Sequence, residues 1–226
     1  MITLISGAFA PGIALLSFIY LKDKYELEPL HLIIKMFIIG TILVFPAYVF
    51  ERMIQEGLAH WNLPILSTAV VEEFLKWFIL YFLIFKHVEF NEPYDGVVYS
   101  VAVSIGFATL ENLGYLFFHS SQPAMILLRG LLPVSGHALF AIMMGYFLGK
   151  AKFSCIHYKK IFLFLSWIIP MIAHATYNFI LEQKMMDWVY LMLPFLTFLW
   201  WYGLKKIKIA TKLSPFHESE PPEVNY

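Results

Sequence analysis

The chain alternates long apolar stretches with short polar connections. Seven of the stretches approach the roughly 20 residues that a helix needs to cross the hydrocarbon core of a bilayer. They are Ile2–Leu21, His31–Phe50, Leu63–Phe85, Val97–Phe118, Leu127–Gly149, Ile161–Leu181 and Trp188–Leu204. Because a segment in lipid must satisfy its own backbone hydrogen bonds, the pattern predicts an all-α, polytopic transmembrane helix bundle of about seven spans.

The composition agrees with a chain that is surrounded by lipid. Of the 226 residues, 60% are hydrophobic and only 14% are charged, and the mean hydropathy is +0.69. A soluble domain of this size could not bury so much apolar surface. The formal net charge is zero, so the bulk charge indicates no nucleic-acid partner.

The distribution of basic residues predicts the orientation, since cytoplasmic loops carry an excess of Lys and Arg. With the N-terminus outside, eleven basic residues are cytoplasmic and three are external. We therefore expect the N-terminus outside and the C-terminus in the cytoplasm. Residues 1–204 form the predicted transmembrane domain. Residues 205–226 are basic, then acidic and proline-containing, and predict a disordered cytoplasmic tail.

Ionisable and amide side chains inside the predicted spans are the main indication of function. A charge at the centre of a span costs roughly 2.5–3.5 kcal/mol on insertion scales, so such residues tend to face the bundle interior and to be functional. Four consecutive spans carry them: Glu72, Glu73 and Lys76; Glu111 and Asn112; His137; and His174 and Asn178. At 1.5 Å rise per residue, all four sets lie about 10–15 Å below the outer surface. This level predicts one polar site that is shared between helices.

Helical spacing adds local detail. Glu72 and Glu73 precede Lys76 by four and three residues, so either carboxylate can meet the ammonium on one helix face. His174 and Asn178 are also four residues apart and can point at one atom. Asp95 lies just before the fourth span and is predicted to be its N-cap.

Four short motifs, each within a predicted span, resemble those of one protease family. The segment Glu72–Lys76 resembles the EExxK motif of the PrsW family, and Phe107–Asn112 resembles its FxxxEN motif. His137 is similar to the family's lone-histidine motif. The segment His174–Asn178 resembles its HxxxD motif, with Asn178 in place of the aspartate, as in the related CAAX-prenyl-endopeptidase (abortive-infection) family.

The resemblance implies a glutamate-dependent intramembrane endopeptidase that uses no cofactor and no metal. It implies a multi-pass protein of the bacterial cell membrane. The implied substrate is a single-span anti-sigma factor, which receives its first (site-1) cut near the extracytoplasmic side. This cut leads to release of an extracytoplasmic-function sigma factor in a stress response.

Residue roles follow from the same resemblance together with the needs of peptide hydrolysis, which are an activated water and a stabilised oxyanion. Glu72 or Glu73 is the expected general base, and the other carboxylate or Lys76 orients it. Glu111, supported by Asn112, is expected to help hold the water. His174 and Asn178 are expected to donate hydrogen bonds to the oxyanion, and His137 could support either role.

Three other interpretations compete with this one. The two histidines and the glutamates could bind zinc, although no HExxH sequence occurs on any predicted helix. Ionisable residues in spans also mark transporters and proton relays. Such proteins often contain repeated halves, and this sequence shows none. Finally, the charged residues could form an ion pair that only holds helices together.

Overall fold

The structure is a computed structural model that describes residues 2–57, 64–119, 123–182 and 188–216. Within these ranges the chain forms seven helices and no strand. They are α1 (Ile2–Leu21), α2 (Leu30–Gly57), α3 (Pro64–Leu83), α4 (Asp95–His119), α5 (Pro123–Phe153), α6 (Ile156–Glu182) and α7 (Trp188–Lys212). The predicted all-α, polytopic helix bundle is confirmed, and each predicted span has its own helix.

Four of the helices are long and apolar enough, by length and composition alone, to cross a membrane: Leu30–Gly57, Asp95–Phe118, Leu131–Phe153 and Ile156–Glu182. α3 is not among the four, and it carries three charged residues, Glu72, Glu73 and Lys76, in its middle. The predicted orientation, with the N-terminus outside, stays a prediction.

Large apolar side chains cover the outside of the bundle. Phe45, Phe82 and Phe164, on α2, α3 and α6, are all more than half exposed. In water such a surface would be costly, whereas in lipid it meets a solvent of its own polarity. By contrast, the side chains of Glu72, Glu73 and Lys76 are buried. The bundle therefore exposes large apolar side chains and encloses the charged residues of α3, as a lipid solvent favours.

α4 is the central helix, and it packs against α1, α2, α3 and α5. Glycines allow two of these crossings to be very close. A Cβ atom on Gly106 of α4 would collide with the carbonyl oxygen of Phe37 on α2, and one on Gly145 of α5 would collide with that of Gly96. Small residues at such crossings let helix backbones approach closely, which is how helices gain packing energy in membranes.

Two helix ends differ from the sequence predictions. α4 begins at Asp95, but the predicted N-cap bond is wrong. The Oδ2 atom of Asp95 instead accepts hydrogen bonds from the backbone N–H groups of Asn91 and Glu92, both at 2.7 Å, which precede the helix. α7 continues to Lys212, so the boundary predicted at residue 204 falls inside a helix. Residues 217–226 of the predicted tail lie outside the described residues.

Candidate active site

The centre of the candidate site is a buried lysine on α3. The Lys76 Nζ atom lies 3.1 Å from Oε2 of Glu72 and 2.8 Å from Oε1 of Glu73, and its side chain is 1% exposed. The i,i+4 and i,i+3 spacing thus brings both carboxylates to the same ammonium, where the sequence required only one of them. A buried ion pair of this kind needs good geometry and further hydrogen bonds to offset its desolvation.

A chain of hydrogen bonds leads from Lys76 to the next two helices. The Nζ atom is 3.1 Å from Nδ1 of His137 on α5, and the His137 Nε2 atom is 3.0 Å from Oε2 of Glu111 on α4. A protonated lysine can only donate, so Nδ1 of His137 accepts. In a neutral imidazole the proton then resides on Nε2, which donates to Glu111. The lysine therefore fixes the tautomer of His137.

α6 closes the network from the other side. The Nδ1 atom of His174 lies 3.0 Å from Oε1 of Glu73, the carboxylate oxygen that also accepts from Lys76. The Glu73 side chain is fully buried, and its second oxygen, Oε2, has no hydrogen-bond partner. The His174 ring stacks on Phe140 with 5.0 Å between ring centroids. These contacts hold Glu73 and His174 in a single arrangement.

The structure thus brings together six of the eight residues that the sequence singled out: Glu72, Glu73, Lys76, Glu111, His137 and His174. They come from four helices, as the common depth in the membrane predicts. Asn112 is buried beside Glu111 on α4. Asn178 is half-buried one turn beyond His174, and among the described residues no hydrogen bond joins its amide to this network.

An aromatic ring covers the charged centre. The Lys76 Nζ atom lies 4.3 Å from the ring centroid of Phe107, within the range of a cation–π contact. The same ring is 5.8 Å from that of His137. Phe107 is the first residue of the FxxxEN-like segment, so the fixed spacing to Glu111 has a physical reason. One turn of α4 presents the ring to the lysine, and the next presents the carboxylate to the histidine.

Glu51 is a carboxylate at this site that the sequence reasoning missed. It lies on α2, where its charge interacts with those of Glu72 and Glu111, and it hydrogen-bonds Thr68. The apolar stretch that predicted this helix ends at Phe50, which placed Glu51 in a loop, whereas α2 continues to Gly57. No signal in the local spacing marks it.

An apolar cavity of about 500 Å³ lies between α2 and α3. It is lined by Phe50, Ile54, Val70, Val71, Phe74, Leu75 and Phe78.

Comparison with known proteins gives a consistent family. The family model described as "PrsW family intramembrane metalloprotease" matches residues 28–202. The chain belongs to the PrsW family. It is 45% identical over 217 residues to Protease PrsW of Bacillus subtilis (strain 168), with 95% of this chain and 98% of that protein covered.

Two other PrsW proteins also align along most of their length. The identity is 46% over 213 residues to Protease PrsW of Geobacillus kaustophilus (93% of each chain), and 33% over 196 residues to that of Clostridioides difficile (83% of this chain and 82% of the relative). No solved structure matches. Family membership identifies a protease of the membrane with a protein substrate, and so decides against a transporter or an inert scaffold.

The PrsW family description names a metalloprotease, which raises the question of whether these residues fit a metal ion. Glu72, Glu73, His137 and His174 offer ligand atoms that all lie within 4.8 Å of one another, and zinc accepts such oxygen and nitrogen ligands. However, the Lys76 ammonium contacts three of the four residues. A second cation among them would meet this charge at close range, so the arrangement with a charged Lys76 in place does not fit a metal ion.

Proposed function

We propose that this protein makes the first cut in a single-span anti-sigma factor of the bacterial cell membrane. The cut lies near the extracytoplasmic side, and it uses glutamate chemistry with Lys76 as the resident cation in place of a metal. The observation that carries this proposal is the buried network in which Lys76 joins Glu72, Glu73 and His137. The substrate class rests on family resemblance and on the predicted outer-half depth of the site.

Burial favours Glu72 over Glu73 as the general base. Glu73 is fully enclosed and shares one oxygen between Lys76 and His174, so its role is to position these two groups. The Glu72 side chain is 6% exposed and has one hydrogen bond in the network, to Lys76. Its charge interacts with that of Glu51, which also interacts with the charge of Glu111. Glu111 is the most exposed carboxylate of the network.

The chemical step needs no group beyond these side chains and water. The Glu72 carboxylate takes a proton from a water molecule as the water oxygen attacks the carbonyl carbon of the scissile peptide. The carbonyl electron pair moves to oxygen, which gives a tetrahedral oxyanion. When the oxyanion collapses, the C–N bond breaks, and Glu72 returns its proton to the departing nitrogen. General acid–base catalysis of this kind contributes about 10²–10⁴-fold to the rate.

His174 and Asn178 are the proposed donors to the oxyanion. Because Nδ1 of His174 donates to Glu73, the ring can donate through Nε2 only when both nitrogens are protonated. An ionised Glu73 and a doubly protonated His174 would form a neutral pair, as would Glu72 with Lys76. Asn178, one turn along α6, then supplies a neutral amide N–H from the same helix face.

A cleavage assay in reconstituted vesicles tests this function. The full-length protein is incubated with a tagged single-span anti-sigma factor from the same bacterium, and the fragments are resolved by gel and mass spectrometry. Glu72→Gln should lower cleavage by at least about 100-fold, because an amide cannot accept the proton. The matched control is Glu56→Gln, which changes an exposed glutamate that is ion-paired to Arg52 at 3.5 Å.

The outcome separates the parts of the proposal. Wild-type and Glu56→Gln proteins that cut the substrate, with Glu72→Gln inactive, support both the substrate class and the base. If Glu72→Gln cuts as fast as wild type, Glu72 is not the base. If the wild-type protein cuts other single-span proteins but not the anti-sigma factor, the substrate class is wrong.

A further inference from the structure

A second group of carboxyls lies at the opposite end of α4 from the candidate active site. Asp23 follows α1, Glu92 lies in the connection between α3 and α4, and Asp95 begins α4. One oxygen from each lies within 4.8 Å of the others. Asp95 precedes Glu111 by sixteen residues on one helix, which corresponds to about 24 Å. The two groups are therefore separate sites.

Four carboxylate oxygens of this cluster are buried without a hydrogen-bond donor. Glu92 and Asp95 are fully buried, and neither carboxylate oxygen of Glu92 has a hydrogen-bond partner of normal geometry. The Ser214 hydroxyl lies near the Glu92 carboxyl group. Oδ1 of Asp95 and Oδ2 of Asp23 also have no partner. Burying polar atoms without partners is costly. Three neighbouring residues with such atoms therefore favour a positively charged ligand between them.

Neighbouring side chains supply only part of the positive charge that would balance these carboxyls. Glu28 is a fourth carboxyl nearby, and it accepts a short hydrogen bond from the Tyr99 hydroxyl. Lys152 on α5 is near enough to act on Asp95 and Glu28, but its Nζ atom donates to the carbonyl oxygen of His87 at 2.9 Å. When ionised, these four carboxyls thus carry more negative charge than Lys152 balances.

The backbone around the cluster is fixed by contacts that need no ion. The Tyr94 hydroxyl donates to the carbonyl oxygen of Ile19 at 2.7 Å, and the Tyr20 hydroxyl donates to that of Glu28 at 3.0 Å. Oδ2 of Asp95 orders the connection before α4. The three carboxyls are therefore held near one another by the fold and do not have to be gathered by a ligand.

We propose that Asp23, Glu92 and Asp95 bind a hard divalent cation, Mg²⁺ or Ca²⁺, that ties the end of α1 to the start of α4. All three residues offer oxygen, the ligand that these ions prefer, and the set contains no imidazole or thiolate that would select zinc. The ion completes the charge balance of the cluster. This site is independent of the cleavage chemistry, and its test does not use the substrate.

The test is cation binding by the purified full-length protein in detergent. The protein is stripped with a chelator and titrated with CaCl₂ or MgCl₂, with binding followed by calorimetry and unfolding by tryptophan fluorescence. We expect saturable binding and a rise in Tm. Glu92→Gln and Asp23→Asn, which keep the side-chain shape, should each weaken binding by roughly tenfold or more, since even supporting residues of metal sites contribute 10–100-fold.

Two control variants make the result decisive. Glu26→Gln changes an exposed carboxylate at the same end of the bundle, bonded to the Asn91 amide at 3.1 Å, and should bind as wild type does. Wild-type protein without saturable binding would mean that the carboxyls share protons instead of an ion. Binding that survives both Glu92→Gln and Asp23→Asn, or that Glu73→Gln abolishes instead, would place the ion elsewhere and overturn the proposal. If Glu92→Gln does not fold, Asp23→Asn decides.

Discussion

Replacing Lys76 by methionine removes the charge at the centre of the candidate active site while nearly keeping the volume of the side chain. The Nζ atom has three partners, at 3.1, 2.8 and 3.1 Å, on Glu72, Glu73 and His137. All three lose their common donor in Lys76→Met. The change thus tests the role of the cation with little alteration of the apolar packing.

The losses of stability and of cleavage expected for Lys76→Met follow from this geometry. Removing one partner from a buried ion pair typically costs about 3–5 kcal/mol, because the remaining charge has no compensation. Typical proteins have only about 5–15 kcal/mol of stability, so Tm should fall clearly. Glu72 and Glu73 are left facing each other without the ammonium and can share a proton. A protonated Glu72 cannot accept a proton from water, so cleavage should fall by at least about 100-fold.

The assay combines cleavage in vesicles with unfolding in detergent. Lys35→Met is the matched control, because Lys35 is also a lysine within a membrane helix, α2, but is exposed. We expect Lys35→Met to cleave as wild type does and to keep its Tm. We also expect wild-type cleavage to survive a chelator that removes zinc.

A zinc enzyme would give the opposite pattern. If zinc were bound by Glu72, Glu73, His137 and His174, removing the ammonium would strengthen its binding. Lys76→Met would then cleave at least as well as wild type, and a chelator would abolish the cleavage of both proteins until zinc was added. That result would refute the proposal that Lys76 replaces a metal ion.

Two further substitutions test the packing of α4 and its carboxylate. Gly106→Ala places a Cβ atom against the carbonyl oxygen of Phe37, so overpacking should cost about 1–3 kcal/mol of stability and lower Tm. The control Gly114→Ala, with no neighbour within 4 Å, should leave Tm unchanged. Equal Tm values for the two variants would refute the close crossing. Glu111→Gln should lower cleavage by about 100-fold with little change in Tm, because its side chain is 36% exposed and its bond to His137 can persist through the amide oxygen. Undiminished cleavage would remove Glu111 from the mechanism.

The helices and the depth of the site in the membrane could be predicted because each depends on information that is local in the sequence. An apolar stretch of about 20 residues specifies a helix in lipid, and the rise per residue converts position into depth. Asp23 and Glu92 had no such signal, because they lie in short connections and are 69 residues apart. Only the packing of α1 against α4 brings them together, and a sequence pattern does not contain that information.

Glu72 and Glu73 show where local spacing stops being sufficient. Both are within reach of Lys76 along α3, so the spacing gives them equal claims to be the base. Neighbouring residues on a helix nevertheless point about 100° apart, since one turn takes 3.6 residues. That rotation directs Glu73 towards His174 on α6, where it is fully buried, and leaves Glu72 with Lys76 as its hydrogen-bond partner in the network. The rotation of α3 is set by its contacts with α2, α4 and α6, so the distinction between a positioning carboxylate and a base emerges only from the packed bundle.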